Sequence, residues 1–289
     1  MDIRAILLGL AFAFMWSSAF TSARIIVADA PPLTSLALRF VISGILGVII
    51  ARALGQTWRL SAAQWRATAV FGICQNALYL GLFFVAMQTV EASLAAIIAA
   101  TMPLLVALAG WLVFGERIGS LGLAGLAAGF IGVGIIMGSR LGGAGADPLG
   151  LALCVIGVFA LSTATLAVKG TGSGGNVLMI VGLQMLVGAA VLAVLGLATE
   201  PLVVRWSLPL AAAFTYTVLV PGLLATLVWF LLVNRVGAVR ASTFHFLNPF
   251  FGVAIAAALL GERMSLPDLV GVAVITAGIL AVQLAKQRA

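Results

Sequence analysis

Apolar residues run through this chain in ten continuous stretches, separated by short polar turns. The stretches are Arg4–Ile26, Leu33–Leu54, Ala67–Met87, Ala92–Phe114, Leu121–Gly138, Leu149–Val168, Asn176–Ala198, Leu208–Val233, Ala241–Leu260 and Leu266–Leu284. A helix needs about 20 residues to cross a hydrocarbon core about 30 Å thick. Barrel strands would alternate apolar and polar positions, and these runs do not. The pattern predicts an all-α membrane protein of ten transmembrane helices, with no connection long enough to hold a soluble domain.

Composition agrees with the pattern. The chain of 289 residues is 63% hydrophobic and 8% charged, with a mean hydropathy of +1.25. Soluble domains carry about 25% charged residues, so a soluble enzyme is excluded. The net charge is +7, but the basic residues are scattered singly and form no face that could track phosphates. Nucleic acid is therefore not an expected partner; membrane lipid and a small-molecule substrate are. Cys74 and Cys154 lie within apolar runs and read as small buried hydrophobes. The first run begins at once and is too long for the core of a cleavable signal.

The basic residues are unevenly distributed. Arg4, Arg52, Arg59, Arg66, Arg117, Lys169, Arg235, Arg240, Lys286 and Arg288 mark the side of the N-terminus; Arg24, Arg140, Arg205 and Arg263 mark the other. The positive-inside rule then puts both termini in the cytoplasm of a bacterial-type inner membrane.

The chain also repeats itself. At an offset of 146, Phe84 matches Phe230, Pro103 matches Pro249, and Gly115-Glu116-Arg117 matches Gly261-Glu262-Arg263. Gly125 and Gly132 match Gly271 and Gly278, and the segment from Gly142 to Pro148 reads as a joint. The expected organisation is two five-helix repeats, residues 1–143 and 144–289. Five is odd, so the second repeat enters the membrane inverted, as in many secondary transporters with a midplane site.

These features resemble the EamA-type branch of the drug/metabolite transporter superfamily. The resemblance rests on Pro103…Gly115-Glu116-Arg117, its copy Pro249…Gly261-Glu262-Arg263, Trp16-Ser17-Ser18, and Pro31-Pro32-Leu33-Thr34…Leu38-Arg39-Phe40. It covers nearly the whole chain, and within the superfamily the chain looks most like the YddG-type aromatic amino-acid exporters. The resemblance implies export of small hydrophobic or aromatic amino acids, or related metabolites, by alternating access through a central cavity. The second half departs from the pattern: in a similar but shifted match Ser162 is the counterpart of Ser18, but Arg39 faces roughly Gln184.

The residues restrict the chemistry further. There is no phosphate loop of the G-x-x-x-x-G-K-[ST] type. The Ser173 segment fails the nucleophile-elbow pattern because residue 171 is Thr. One His and two distant Cys offer no metal-ligand cluster. No enzyme activity, metal or cofactor is expected. All eight carboxylates, Asp2, Asp29, Glu91, Glu116, Asp147, Glu200, Glu262 and Asp268, fall at run ends or in connections. Exporters of cations need an acid within the membrane, so the substrate is expected to be neutral or zwitterionic and transport to need no tight proton coupling. Glu91 is the acid that a one-turn boundary error would bury. An exporter of another neutral metabolite is the alternative, and a membrane scaffold or intramembrane enzyme fits less well.

Candidate cavity residues are the polar and aromatic groups inside runs. Arg39 sits six residues into its run, about 9 Å along the helix. Three roles are open to it: snorkelling to the interface, anchoring a substrate carboxylate, or bonding helix-end carbonyls. His245 reads as a packed side chain, a cavity ligand or a proton relay, about a turn inside the ninth helix. Trp16 and Tyr79 near mid-depth either pack in the core or stack a flat substrate, and Trp229 is a further cavity candidate. Ser18, Gln75, Asn76, Ser162, Gln184 and Asn248 either bond between helices or line the cavity, and Met102 offers an adaptable wall. Pro103 and Pro249 are expected to kink their helices at matched positions, whereas Pro221 has Gln75 as its counterpart and stands outside this symmetry. Gly125-x-x-x-Gly129 and Gly134-x-x-x-Gly138 are expected to form a close-packing face.

Overall fold

A computed structural model describes residues 2–141, 147–167, 174–237, 241 and 243–288; at 140, 141, 230, 234 and 286–288 only the backbone is described. The central joint at 142–146, the 171–173 segment, Lys169 and Arg240 lie outside the described residues. So do the side chains of Phe230, Arg140, Lys286 and Arg288. Among the described residues there is no strand, and ten helices are long and apolar enough to cross a membrane. They are Ile3–Asp29, Pro32–Ala53, Ala62–Ala86, Ala92–Leu112, Ser120–Ser139, Pro148–Ala167, Val177–Thr199, Leu208–Val233, Thr243–Leu260 and Leu266–Ala285. The chain is a multi-pass membrane protein.

The third span starts five residues before its apolar run, because a capping box opens it. Ser61 N–H donates to Gln64 Oε1 at 2.9 Å and Gln64 N–H donates to Ser61 Oγ at 3.3 Å. This pairing satisfies two of the donors a helix start leaves open. The polar first turn it supports, which holds Trp65 and Arg66, is invisible to hydropathy.

The fourth and ninth spans are interrupted rather than gently bent. Helix Ala92–Ala100 ends at Thr101 and a new helix, Met102–Leu112, begins with Pro103 in its first turn. A 3-10 turn, Thr243–Leu247, precedes helix Asn248–Leu260, with Pro249 in the first turn. Proline fits there because the first turn needs no internal N–H donor. His245 thus lies in the 3-10 turn and not inside an α-helix.

The third and eighth spans carry π-helical stretches, Gly72–Tyr79 and Val220–Leu224. Shifted by the offset of 146, the second falls on residues 74–78, inside the first. Pro221 is unmatched, yet the irregularity it sits in is matched. A proline is therefore not its cause in the third span. Such single wide turns often mark functional positions in a helix.

The chain forms two compact units, and neither follows a sequence half. One gathers Met1–Thr21, Thr89–Ala152 and Leu224–Ala289; the other gathers Ser22–Gln88 and Leu153–Leu223. In the first unit the fifth and tenth spans pack antiparallel on glycine. A Cβ at Gly125 would approach the Gly278 carbonyl to 2.8 Å, and one at Gly132 would approach the Gly271 carbonyl to 2.9 Å. The contacts thus cross between offset mates, since Gly125 matches Gly271 and Gly132 matches Gly278. Gly134 and Gly138 have nothing within 4 Å of a built Cβ, so the expected second glycine pair is not part of this face. In the second unit the second and seventh spans are also antiparallel, with Gly44 against Gly182.

Candidate functional site

The acids define what the membrane interior lacks. Asp2 accepts from Arg235 Nε at 2.9 Å and from the N–H of Ala5. The Arg235 guanidinium holds the exposed Asp2 carboxyl down at about 2. Asp29 closes the first span, 3.5 Å from Arg205. Asp147 caps the sixth span and accepts from Thr89 Oγ1 at 2.8 Å; that bond holds its carboxyl below the usual range. Asp268 accepts from Ser265 in the first turn of the tenth span. Glu116 lies against Gly110 at the end of the fourth span.

Two further acids hold spans together from the outside. The Glu262 carboxylate accepts from Ala92 N–H at 2.8 Å and Ser93 N–H at 2.9 Å. Glu200 does the same at the second span, accepting from Leu33 N–H at 2.7 Å and Thr34 N–H at 2.9 Å. A carboxylate on open N–H groups also meets the positive end of the helix dipole. Glu91 occupies the N-cap of the fourth span, but its side chain does not cap it; Glu262 takes that role. No acid lies in the middle of a span.

In the first unit, an aromatic group surrounds the one histidine. Phe12 is its centre, with ring centroids 4.7 Å from Trp229, 5.2 Å from His245 and 5.7 Å from Trp16. Trp229 is 5.4 Å from His245. Asn248 Nδ2 lies 3.0 Å from His245 Nδ1. With the amide donating, the imidazole keeps its proton on Nε2. Asn248 is buried and its Oδ1 has no hydrogen-bond partner. Ser17 Oγ donates to the Asn248 carbonyl at 3.2 Å. Ser18 bonds back to the Met15 carbonyl at 2.7 Å. Met102 is half-buried and Pro103 buried.

The second unit holds the remaining candidates. Arg39 is 6% exposed, so it does not snorkel. Its guanidinium carbon stands 5.1 Å from the Phe40 ring centroid, and its Nε has no hydrogen-bond partner. The bond to a helix-end carbonyl considered for Arg39 is made instead by Arg24, to the carbonyl of Met87. Tyr79 is buried on the π-helical stretch, 4.7 Å from Phe83 between ring centroids. Asn76 Nδ2 donates to the backbone carbonyl of Gln184 at 2.9 Å. This ties the third span to the seventh, leaving Gln75 and the Gln184 side chain half-buried. Ser162 is buried and bonds back to Val158 in its own helix at 2.8 Å.

A model of the EamA-like transporter family matches residues 3–138 and 148–284. The chain belongs to the EamA-like transporter family. It is 27% identical to YvbV of Bacillus subtilis, named an uncharacterized transporter, over 92% of this chain and 87% of that one. It is 30% identical to YedA of Escherichia coli K12, named an uncharacterized inner membrane transporter, over 94% of this chain and 88% of that one. PecM of Dickeya dadantii is 26% identical over 91% and 86% of the two chains. A crystal structure shares the fold at a TM-score of 0.68, with 22% identity and 100% and 99% coverage.

In this EamA-like transporter the Gly-Glu-Arg pattern has a mechanical reading. Gly115 and Gly261 have φ of +65° and +67°, a left-handed turn that favours glycine. At Gly261 the turn presents Glu262 to the fourth span. In the sequence nothing sets Glu262 and Glu200 apart from the other boundary acids. Phe12 does carry a sequence signal: it stands four residues before Trp16 and so shares its helix face.

Proposed function

We propose that this EamA-like transporter exports small hydrophobic or aromatic amino acids and related metabolites by alternating access, without ATP. The observation that carries the proposal is the Phe12–Trp16–Trp229–His245 group beside Asn248, whose buried Oδ1 lacks a partner. Stacking rings next to an unsatisfied acceptor suit a flat solute with a polar donor at one end. The absence of a mid-span carboxylate favours a neutral or zwitterionic solute and downhill movement.

Two inverted five-helix repeats, residues 1–143 and 144–289, are the architecture that goes with this reading. Support comes from the crossed glycine contacts, the offset-matched π-helical stretches and the two family matches. The relative YedA is named an inner membrane transporter; a bacterial inner membrane with both termini cytoplasmic fits the basic residues. Trp16, Ser18, Arg39, Gln75, Asn76, Tyr79, Met102, Ser162, Gln184, Trp229, His245 and Asn248 are the proposed substrate-facing set, and Pro103 and Pro249 interrupt the spans that bear part of it.

Competition in proteoliposomes tests the proposal. Unlabelled tryptophan, tyrosine and leucine should inhibit phenylalanine flux, whereas nucleosides, sugars and cationic drugs should not. Inhibition by cationic drugs alone would overturn it.

A further inference from the structure

Among the described residues, Arg39 is the one charged side chain buried well inside a span without a counter-charge. It lies seven residues into Pro32–Ala53, about 10 Å along the helix, and is 6% exposed. Its guanidinium faces the Phe40 ring, its Nε makes no hydrogen bond, and among the described residues the only ionisable group acting on it is Tyr79. A neutral phenol is no counter-ion. Tyr79 is itself buried.

The chain has no acid to give it. All eight carboxylate side chains lie among the described residues, and every one stands at a span end or in a connection. An unpaired buried charge is strongly unfavourable, and a membrane-embedded arginine marks a function by default. The counter-charge must therefore come from outside the chain.

We propose that Arg39 binds the carboxylate of the transported solute. The planar guanidinium matches a carboxylate with two parallel hydrogen bonds, and one buried positive charge calls for one negative charge. The Phe40 ring flanks this end with apolar surface. A zwitterionic amino acid would be recognised through its acid group here. The identification of the solute as an amino acid rests on the function proposed above; the demand for a carboxylate does not.

The test uses the full chain, purified and delipidated, with thermal unfolding as the readout. Phenylalanine, 3-phenylpropionate and phenylalaninamide separate the carboxylate from the ammonium. Phenylalanine and 3-phenylpropionate should both raise the unfolding temperature, and phenylalaninamide should not. In R39Q the concentration of either acid needed for that shift should rise at least tenfold, with R39K intermediate. Without solute, R39Q should unfold at or above the wild-type temperature, because it loses an unpaired buried charge; this separates lost binding from lost folding. Equal stabilisation by phenylalaninamide, an unchanged response in R39Q, or no response to any carboxylate would overturn the proposal. So would an Arg39-dependent response to added phosphatidylglycerol alone, which would assign the guanidinium to a lipid phosphate. If 3-phenylpropionate and other monocarboxylates act through Arg39 while phenylalanine does not, the Arg39 assignment stands and the amino-acid reading falls.

Discussion

Glu262 Oε2 accepts the backbone N–H of Ser93 at 2.9 Å, while its other oxygen takes Ala92 N–H. The two residues are 169 positions apart, and the bond closes the fourth span onto the turn that follows the ninth. Both N–H groups belong to the opening of a helix whose following residues are buried, where an unmet donor is costly. Glu262→Ala should lower stability by about 1–3 kcal/mol. Glu262→Gln, which keeps one acceptor oxygen, should cost less. Thermal unfolding in detergent reads both, and a Glu262→Ala protein as stable as wild type would remove the acid's structural role.

The glycine face between the fifth and tenth spans gives a paired test. Gly125→Ala drives a methyl to 2.8 Å from the Gly278 carbonyl, and that atom is backbone that cannot swing aside. Overpacking of this kind costs about 1–3 kcal/mol. Gly134→Ala, on the same helix with nothing within 4 Å, should be neutral or gain up to about 1 kcal/mol from helix propensity. The same unfolding measurement should show a loss for Gly125→Ala and none for Gly134→Ala.

Much of this was legible in the sequence, and what was not has identifiable causes. Hydropathy marked the ten spans because lipid imposes one length and one composition on all of them. It missed the start at Ala62, since a Ser61–Gln64 capping box is a polar signal of only four residues. The offset of 146 paired Gly125 with Gly271 and Gly132 with Gly278 but could not say that the contacts would cross. The partner of Glu262 lies 169 residues away, and nothing near Ser93 announces it. Arg39 stood out as the only charge well away from a run end, yet its burial, and the carbonyl bond that Arg24 makes, depend on packing.

The aromatic group predicts selectivity. Trp16→Ala removes a ring from the neighbourhood of Phe12 and His245, and base loss of stacking area should fall hardest on flat solutes. Flux of tryptophan and phenylalanine should drop at least tenfold, and that of leucine less. Trp58→Ala is the comparison, because Trp58 is 56% exposed and lies outside the spans. Equal loss in both variants would detach the aromatic group from substrate recognition.

The N-terminal link should respond to acid. Its partner Arg235 lowers the Asp2 carboxyl from 3.8 to about 2. A depressed folded value means the link contributes fully above about pH 4 and is lost as pH falls through about 2. Both groups are partly exposed, so salt should weaken the effect. Unfolding temperature followed across this window should fall more steeply for wild type than for Asp2→Asn. Parallel curves would show that the link carries no stability.

Downhill flux tests the central claim most directly. Proteoliposomes loaded with labelled phenylalanine, at equal pH on both sides and without ATP, should release it faster than protein-free vesicles, with unlabelled tryptophan competing. An imposed pH gradient should leave the equilibrium distribution unchanged. Release of no amino acid under these conditions, or accumulation against a gradient driven by pH, would contradict the account.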